Sequence, residues 1–264
     1  EISLNADVIR TSKFQWTSDF NIGFNRNRVT ELYGGKPELK GLKRLEEGRD
    51  MDEWYLREWA GVDPANGSPL WYTTDENGKR TTTDSYNKAD RVYCGSAAPK
   101  FTGGWMNSFS YKGFTLTANF DFVYGNLLYN QSRELLDSDG AYADYNSMKL
   151  KSGWKRWEKE GDIATHPKAI NGGNKNSNKS SSRYLEKGNY FSLRNLSLGY
   201  SIPEKLCGKL GLQRVNVSCS ADNLFTLTPF SGVSPQLSDS STDGYAGTIY
   251  PLSRRIVFGL NVSF

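Results

Sequence analysis

Phe114-Thr-Leu-Thr-Ala-Asn-Phe-Asp-Phe-Val-Tyr124 decides the reading of this chain. Phe114, Leu116, Ala118, Phe120, Phe122 and Tyr124 share one parity, and Thr115, Thr117, Asn119 and Asp121 share the other. A period of two is a strand with one apolar and one polar side. The same alternation runs through Phe14, Trp16, Phe20, Ile22 and Phe24, set against Gln15, Thr17, Asp19, Asn21, Gly23 and Asn25. Val215, Val217, Cys219 and Ala221 repeat it, and so do Ile256, Phe258, Leu260, Val262 and Phe264. Less regular strands are expected at residues 2–10, 101–111 and 189–202. The last of these changes phase. Phe191 and Leu193 have one parity, while Leu196, Leu198, Tyr200 and Ile202 have the other, so a β-bulge is expected near Arg194-Asn195.

About seven strands result, each near the ~9–11 residues that cross a bilayer at a tilt. Their connections alternate in length. Thr11-Ser12-Lys13, Lys112-Gly113 and residues 203–211 are short; residues 26–100, 126–188 and 227–253 are long and polar. Short turns at one end and long loops at the other are the habit of a transmembrane β-barrel. A mean hydropathy of -0.64 does not oppose this, because lumen-facing positions dilute the average. No stretch reaches the roughly 18 apolar residues of a spanning helix. The expected fold is therefore all-β: a transmembrane antiparallel β-barrel portion with long extracellular loops. Phe264 is expected at the periplasmic end, and Trp16, Trp105, Tyr111, Tyr124 and Tyr129 in interfacial aromatic girdles. Seven strands fall short of the ~8 of the smallest membrane barrels, so further strands are expected N-terminal to Glu1.

Other classes find little support. The 33 basic and 29 acidic residues are interspersed, which argues against a nucleic-acid partner. Cys94, Cys207 and Cys219 suggest no disulfide framework or metal site, and His166 is the single histidine. No catalytic motif emerges, so no enzyme is expected. The rival from a different class is a soluble β-rich carbohydrate-binding domain with one wet face; a non-transporting adhesin barrel is a third reading.

Within the long segments, Trp54, Trp59, Trp71 and Tyr72 flank Asp63-Pro-Ala-Asn-Gly-Ser68, which reads as a hairpin. These aromatics could stack on sugar rings or simply pack the loop. Asn119 and Asp121 are candidate substrate contacts on the lumen side. Asp75, Asn77 and Asp84 surround a glycine turn as a weak calcium candidate without EF-hand spacing; otherwise no cofactor is expected. Residues 171–182, rich in Asn, Lys, Ser and Gly, are expected to form a mobile loop tip.

Several stretches together resemble the C-terminal barrel region of SusC/RagA-type, TonB-dependent outer-membrane transporters. They are Trp59-Ala-Gly-Val-Asp-Pro-Ala-Asn-Gly-Ser-Pro-Leu-Trp-Tyr72, then Asp75-Glu-Asn-Gly78, and Gly95-Ser-Ala-Ala-Pro-Lys-Phe-Thr-Gly-Gly-Trp105 running into Tyr111-Lys-Gly-Phe-Thr-Leu116. Arg156-Trp157 with Gly161-Asp-Ile-Ala164, the run from Arg183 to Tyr200, Asp222-Asn-Leu-Phe-Thr226 and Tyr250-Pro-Leu-Ser-Arg254 follow in the family's order. Cys207, Cys219 and Ser253 depart from its pattern. The terminal aromatic strand also resembles the signal read by the barrel-assembly machinery.

The resemblance implies that residues 1–264 are the C-terminal portion of a barrel of about 22 strands, with the plug domain and remaining strands elsewhere. It implies import of nutrient oligomers, with oligosaccharides ahead of peptides. It also implies a SusD-like surface lipoprotein, TonB acting through the absent N-terminal region, and outer-membrane lipid as surroundings.

Overall fold

The computed structural model describes residues 1–142, 144–145, 147–237, 244–247 and 249–264. Its largest sheet has seven strands: β1 Ile2–Arg10, β2 Phe14–Gly23, β3 Phe101–Tyr111, β4 Phe114–Tyr124, β5 Tyr190–Ser201, β6 Arg214–Leu227 and β7 Arg255–Ser263. Each strand pairs antiparallel with the next in sequence, an unbroken up-and-down meander. All the short connections leave one end of this wall and all the long ones leave the other. At the turn end, Lys112 and Gly113 both have positive φ, as a two-residue hairpin with right-handed strand twist requires.

The register aligns the side chains as the alternation predicts. Phe20 sits opposite Leu4 and Trp105, Trp105 opposite Phe120, Phe120 opposite Leu193, Leu193 opposite Phe225. Farther along, Cys219 faces Phe258 and Val217 faces Leu260. One side of the wall is thus apolar across all seven strands. Stacked rings tie it together, with Phe20–Phe122 centroids 5.9 Å apart and Phe120–Phe191 5.1 Å apart. Its two polar intruders in the middle strands, Ser18 and Asn107, each accept a hydrogen bond from an indole N–H, of Trp105 at 2.9 Å and Trp16 at 3.0 Å. Neither is left unsatisfied in apolar surroundings, where that costs several kcal/mol.

The bulge falls at the expected place. Asn119 pairs with Asn195 and the adjacent Phe120 with Leu193, so Arg194 is the additional residue. It brings Arg194 to the polar side, where its Nε lies 3.3 Å from the Asp121 carboxylate, while Leu193 and Leu196 stay on the apolar side. A second irregularity lies between Asp7 and Ile9 in β1.

The girdle expectation needs revision at two positions. Phe14–Tyr111 and Phe114–Tyr200 form an aromatic row at the turn end, and Phe24–Phe101 with Phe101–Tyr124 forms one at the loop end. Trp105 lies mid-strand instead, where its indole N–H donates to Ser18. Tyr129 leaves the wall altogether and is buried among the loops.

The core of the chain lies in those loops. Trp54, Leu56 and Ala97 from the first long segment bury against Tyr129 and Tyr184 from the second, and Tyr245 of the third packs on the cluster. Residues Leu127–Asn130 join Leu185–Lys187 and Tyr245–Ala246 in one small sheet, stitching the second segment to the third. Glu53–Arg57 and Arg91–Ser96 form a second small sheet with two short strands, Glu38–Lys40 and Lys43–Leu45. The hairpin read from sequence is present, Trp59–Val62 against Pro69–Thr74, and Arg80–Thr83 extends it.

The two sides of β4 make opposite demands. Phe120→Lys places a charge on the apolar side and is expected to cost ~2–4 kcal/mol and impair membrane assembly. Asn119→Leu on the polar side is expected to assemble normally. Heat-modifiability gels of outer-membrane fractions read both; the reverse pattern would invert the assignment of the sides.

Candidate functional site

The polar side of the wall is a connected surface. Asn5 donates to Asp19 at 2.7 Å, Asn21 accepts from the Gly104 amide at 3.1 Å, and Ser108 and Thr117 share a hydrogen bond at 3.1 Å. Asn195 and Arg255 donate to the two Asp222 oxygens at 2.7 and 2.8 Å. Tyr190 donates to Asp121 Oδ2 at 3.2 Å, while Asp121 Oδ1 is buried without a partner among the described residues. Asn119, by contrast, is exposed. At the loop end of this side opens a cleft of about 330 Å³, lined by Asn25, Asn27, Asp52, Asn126, Tyr190 and Gln236 among others. The Gln236 amide nitrogen is buried there without a described partner. A larger cleft of about 1030 Å³ lies beside it, with Arg26, Asp50, Lys100 and Phe101 in its walls.

The loop aromatics divide. Trp54 and Trp71 are fully buried, so neither presents a face to a ligand. The Trp54 indole donates to the Leu127 carbonyl at 3.0 Å, and Trp71 sits edge-on between Trp59 and Tyr86. Trp59 and Tyr72 are half-buried, and each ring carries a guanidinium: Arg183 over Trp59 at 5.0 Å, Arg80 over Tyr72 at 3.8 Å. The calcium candidates do not converge. Asp75 and Asn77 are in the turn after Thr74, whereas Asp84 lies past the far end of the Trp71–Thr83 ladder, ~13 Å away at ~3.3 Å per residue. Asp75 Oδ1 accepts the Asn77 and Lys79 amides, and Asp84 pairs with Lys175, which holds its carboxyl below the usual range.

The sequence reading missed a buried charge cluster in the second long segment. Asp137 accepts from Arg133 at 2.8 Å and from His166 Nε2 at 3.0 Å, with Arg183 at 3.4 Å from its other oxygen. Asp139 holds Arg156 at 2.7 Å and pairs with Arg183 through both guanidinium nitrogens. Arg133 also reaches Glu186 at 3.0 Å and stacks on Trp154. Burial alone would raise the Asp137 carboxyl. The His166 hydrogen bond and the arginine charges outweigh it and hold the group at about 2. Arg156 and Arg183 stand in the family-like stretches, but nothing in those stretches pointed to Asp137 or Asp139.

The same stretches dock on one another. Trp157 donates to the Pro64 carbonyl at 3.0 Å, and its ring occupies the space above Gly67, where a Cβ would meet it at 2.5 Å. Residues 171–182 do not form a free tip. Asn174 and Ser177 are buried; Asn174 bonds the Gly67 and Lys168 carbonyls at 3.1 and 2.9 Å, and the Ser177 carbonyl receives Arg183. Composition suggested mobility, but the Asn174 amide is spent on backbone carbonyls and the stretch is packed against residue 67 of the first long segment.

The wall, its aromatic rows and its one-sided loops define a transmembrane β-barrel portion. No protein-family model matches the chain. Along its whole length it is 28% identical over 316 residues to the TonB-dependent receptor P39 of Formosa agariphila, of which it covers 30%. It is 22% identical over 289 residues to the TonB-dependent receptor SusC of Bacteroides thetaiotaomicron, of which it covers 26%. It superposes on the RagAB peptide transporter with a TM-score of 0.83 at 26% identity, covering 99% of this chain and 28% of that one. The resemblance to SusC/RagA-type TonB-dependent transporters is thereby borne out, as is the all-β barrel fold. The chain spans less than a third of the length of these relatives.

Asp137 links the loop body to pH. Its value in the fold lies below its ordinary 3.8, so its contribution, on the order of 2 kcal/mol, is complete above about pH 4 and lost as pH falls toward 2. Asp137→Asn leaves buried arginines undercompensated at ~3–5 kcal/mol. Faster hydrogen exchange in residues 126–188 of the variant at pH 7 is expected; wild-type protection there would refute the role.

Proposed function

We propose that this chain is the C-terminal part of the barrel of an outer-membrane, TonB-dependent importer of nutrient oligomers. The carrying observation is the alignment of two features: the cleft at the loop end, where the amides of Asn25, Asn27, Asn126 and Gln236 stand among Ala, Pro, Val and Leu side chains and Asp52, opens onto the polar side of the wall. A ligand that leaves its water there exchanges hydrogen bonds with Asn25, Asn27, Tyr190 and Gln236. It then meets Asn119, Asp121 and Asn216 along the wall. The apolar side is kept for lipid. On this reading the long segments face outward, and the rigid loop body is the platform on which a SusD-like lipoprotein closes. TonB acts through a plug domain not among these 264 residues. The role is transport, not catalysis.

Oligosaccharide is the first reading of the ligand, because the side-chain amides of Asn25, Asn27, Asn126 and Gln236 suit a hydroxyl-rich chain. Trp54 and Trp71, being buried, are not its aromatic contacts; Trp59 and Tyr72 are half-buried, lie outside the cleft's lining and each carry a guanidinium over the ring. Peptide is the second reading, supported by the likeness to the RagAB peptide transporter.

Uptake distinguishes them. Asn25→Leu combined with Gln236→Leu is expected to lower oligosaccharide uptake several-fold, with the amount of protein in the outer membrane unchanged. Loss of peptide uptake alone would transfer the assignment to peptides. Recovery of the protein in the aqueous fraction after cell breakage would remove the importer reading and favour a soluble carbohydrate-binding domain.

A further inference from the structure

The connection between β5 and β6 differs from the other short turns. It carries a helix, Glu204–Lys209, folded back on β6. The side it covers is identifiable from burial. Val215 and Val217 are both on the apolar side of the wall, opposite Val262 and Leu260. Val217 is 45% exposed, as a residue facing hydrocarbon should be, but Val215 is only 8% exposed. The helix beside it supplies that cover, with Cys207 turned inward and 1% exposed. The helix therefore lies along the turn-end rim of the apolar side, two residues beyond the rung on which Val217 pairs with Tyr200 of the aromatic row.

Its free surface is amphipathic. Leu206 within the helix and Leu210 at its C-terminal cap are 53% and 76% exposed. Lys205 and Lys209 form the neighbouring stripe, and Glu204 and Gly208 point away from the leucines. The rim around the helix is basic. Arg10, Lys13, Lys112 and Arg214 are exposed at the same end, opposed there by Glu204 and by Asp7, which is paired with Arg10.

We propose that helix Glu204–Lys209 is an interfacial anchor. Leu206 and Leu210 enter the phospholipid leaflet on the turn side of the membrane, and Lys205 and Lys209 meet its headgroup phosphates. The apolar stripe continues the lipid-facing side of the wall, and the basic rim complements an anionic headgroup layer. The inference rests on the reading that the apolar side faces lipid.

The test uses the full-length protein carrying this sequence, in nanodiscs of phosphatidylethanolamine and phosphatidylglycerol. Cys94 and Cys219 are replaced by Ala. An environment-sensitive dye is attached in turn to Leu206→Cys, Leu210→Cys, Glu204→Cys and Phe258→Cys, with lipids bearing a quencher just below the headgroup. Blue-shifted emission, mostly lost to the quencher, is expected at 206, 210 and 258, and water-like unquenched emission at 204. Quenching at 258 without quenching at 206 and 210 would overturn the anchor and leave the membrane wall intact. No quenching at 258 would overturn both.

Discussion

Hydrocarbon offers a backbone no hydrogen-bond partner, and this constraint organises the rest of the molecule. Each strand must find every inward and outward amide a partner on its immediate neighbours. The meander does so with neighbours alone: consecutive strands, antiparallel, with the register shifted only at a few bulges. Side chains are then free to differ by side, and the period of two follows. The same demand explains the smaller devices. Trp16 and Trp105 occupy mid-wall hydrogen bonds for Asn107 and Ser18, and the bulge at Arg194 moves a guanidinium off the apolar side without breaking the ladder.

With lipid as cover, the wall needs little protein core of its own, and the packed interior is displaced to the loops. There the physics is that of a small water-soluble domain, with a peculiarity. Beside the Trp54, Tyr129 and Tyr184 cluster lies a polar nucleus in which Asp137 and Asp139 are encircled by Arg133, Arg156, Arg183 and His166. A buried carboxylate of this kind is tolerable only when its partners converge from several directions. They come from three stretches of the second long segment, near residues 133, 156–166 and 183, so the nucleus fixes how those stretches pass one another. Exchanging them for apolar side chains of equal volume could preserve stability while losing that fixed arrangement.

The seven strands were legible because a local period carries them, and the phase change between Leu193 and Leu196 located the bulge. The side of each wall residue followed from parity alone. Apart from the hairpin around residues 63–68, the loop body was illegible for the opposite reason: its contacts are between residues with no periodic relation. Trp157 on Gly67, Asn174 on the Gly67 carbonyl and His166 on Asp137 leave no local signature. Residues 171–182 have the composition of a mobile tip, yet the Asn174 amide and the Ser182 hydroxyl serve backbone groups elsewhere in the loops. Trp54 and Trp71 illustrate the same limit, since an aromatic in a long polar segment reads alike whether it greets a ligand or anchors a fold. Parity put Asn119 and Asp121 on the polar side of the wall, where the register has them; the cleft with Gln236 had no sequence signal.

The shared core of the three long segments has a consequence for how such a surface can diversify. Independent loops on a barrel can be exchanged one at a time, as cassettes. Here the first segment supplies Trp54 and Gly67, the second supplies Tyr129, Tyr184 and Trp157, and the third supplies Tyr245. A transplanted single loop would arrive without its complements and leave unfilled space in the two that stayed. New specificity is therefore more accessible through changes on the outer skin of the loop body, or by inheriting all three segments together, than by recombination at individual loops.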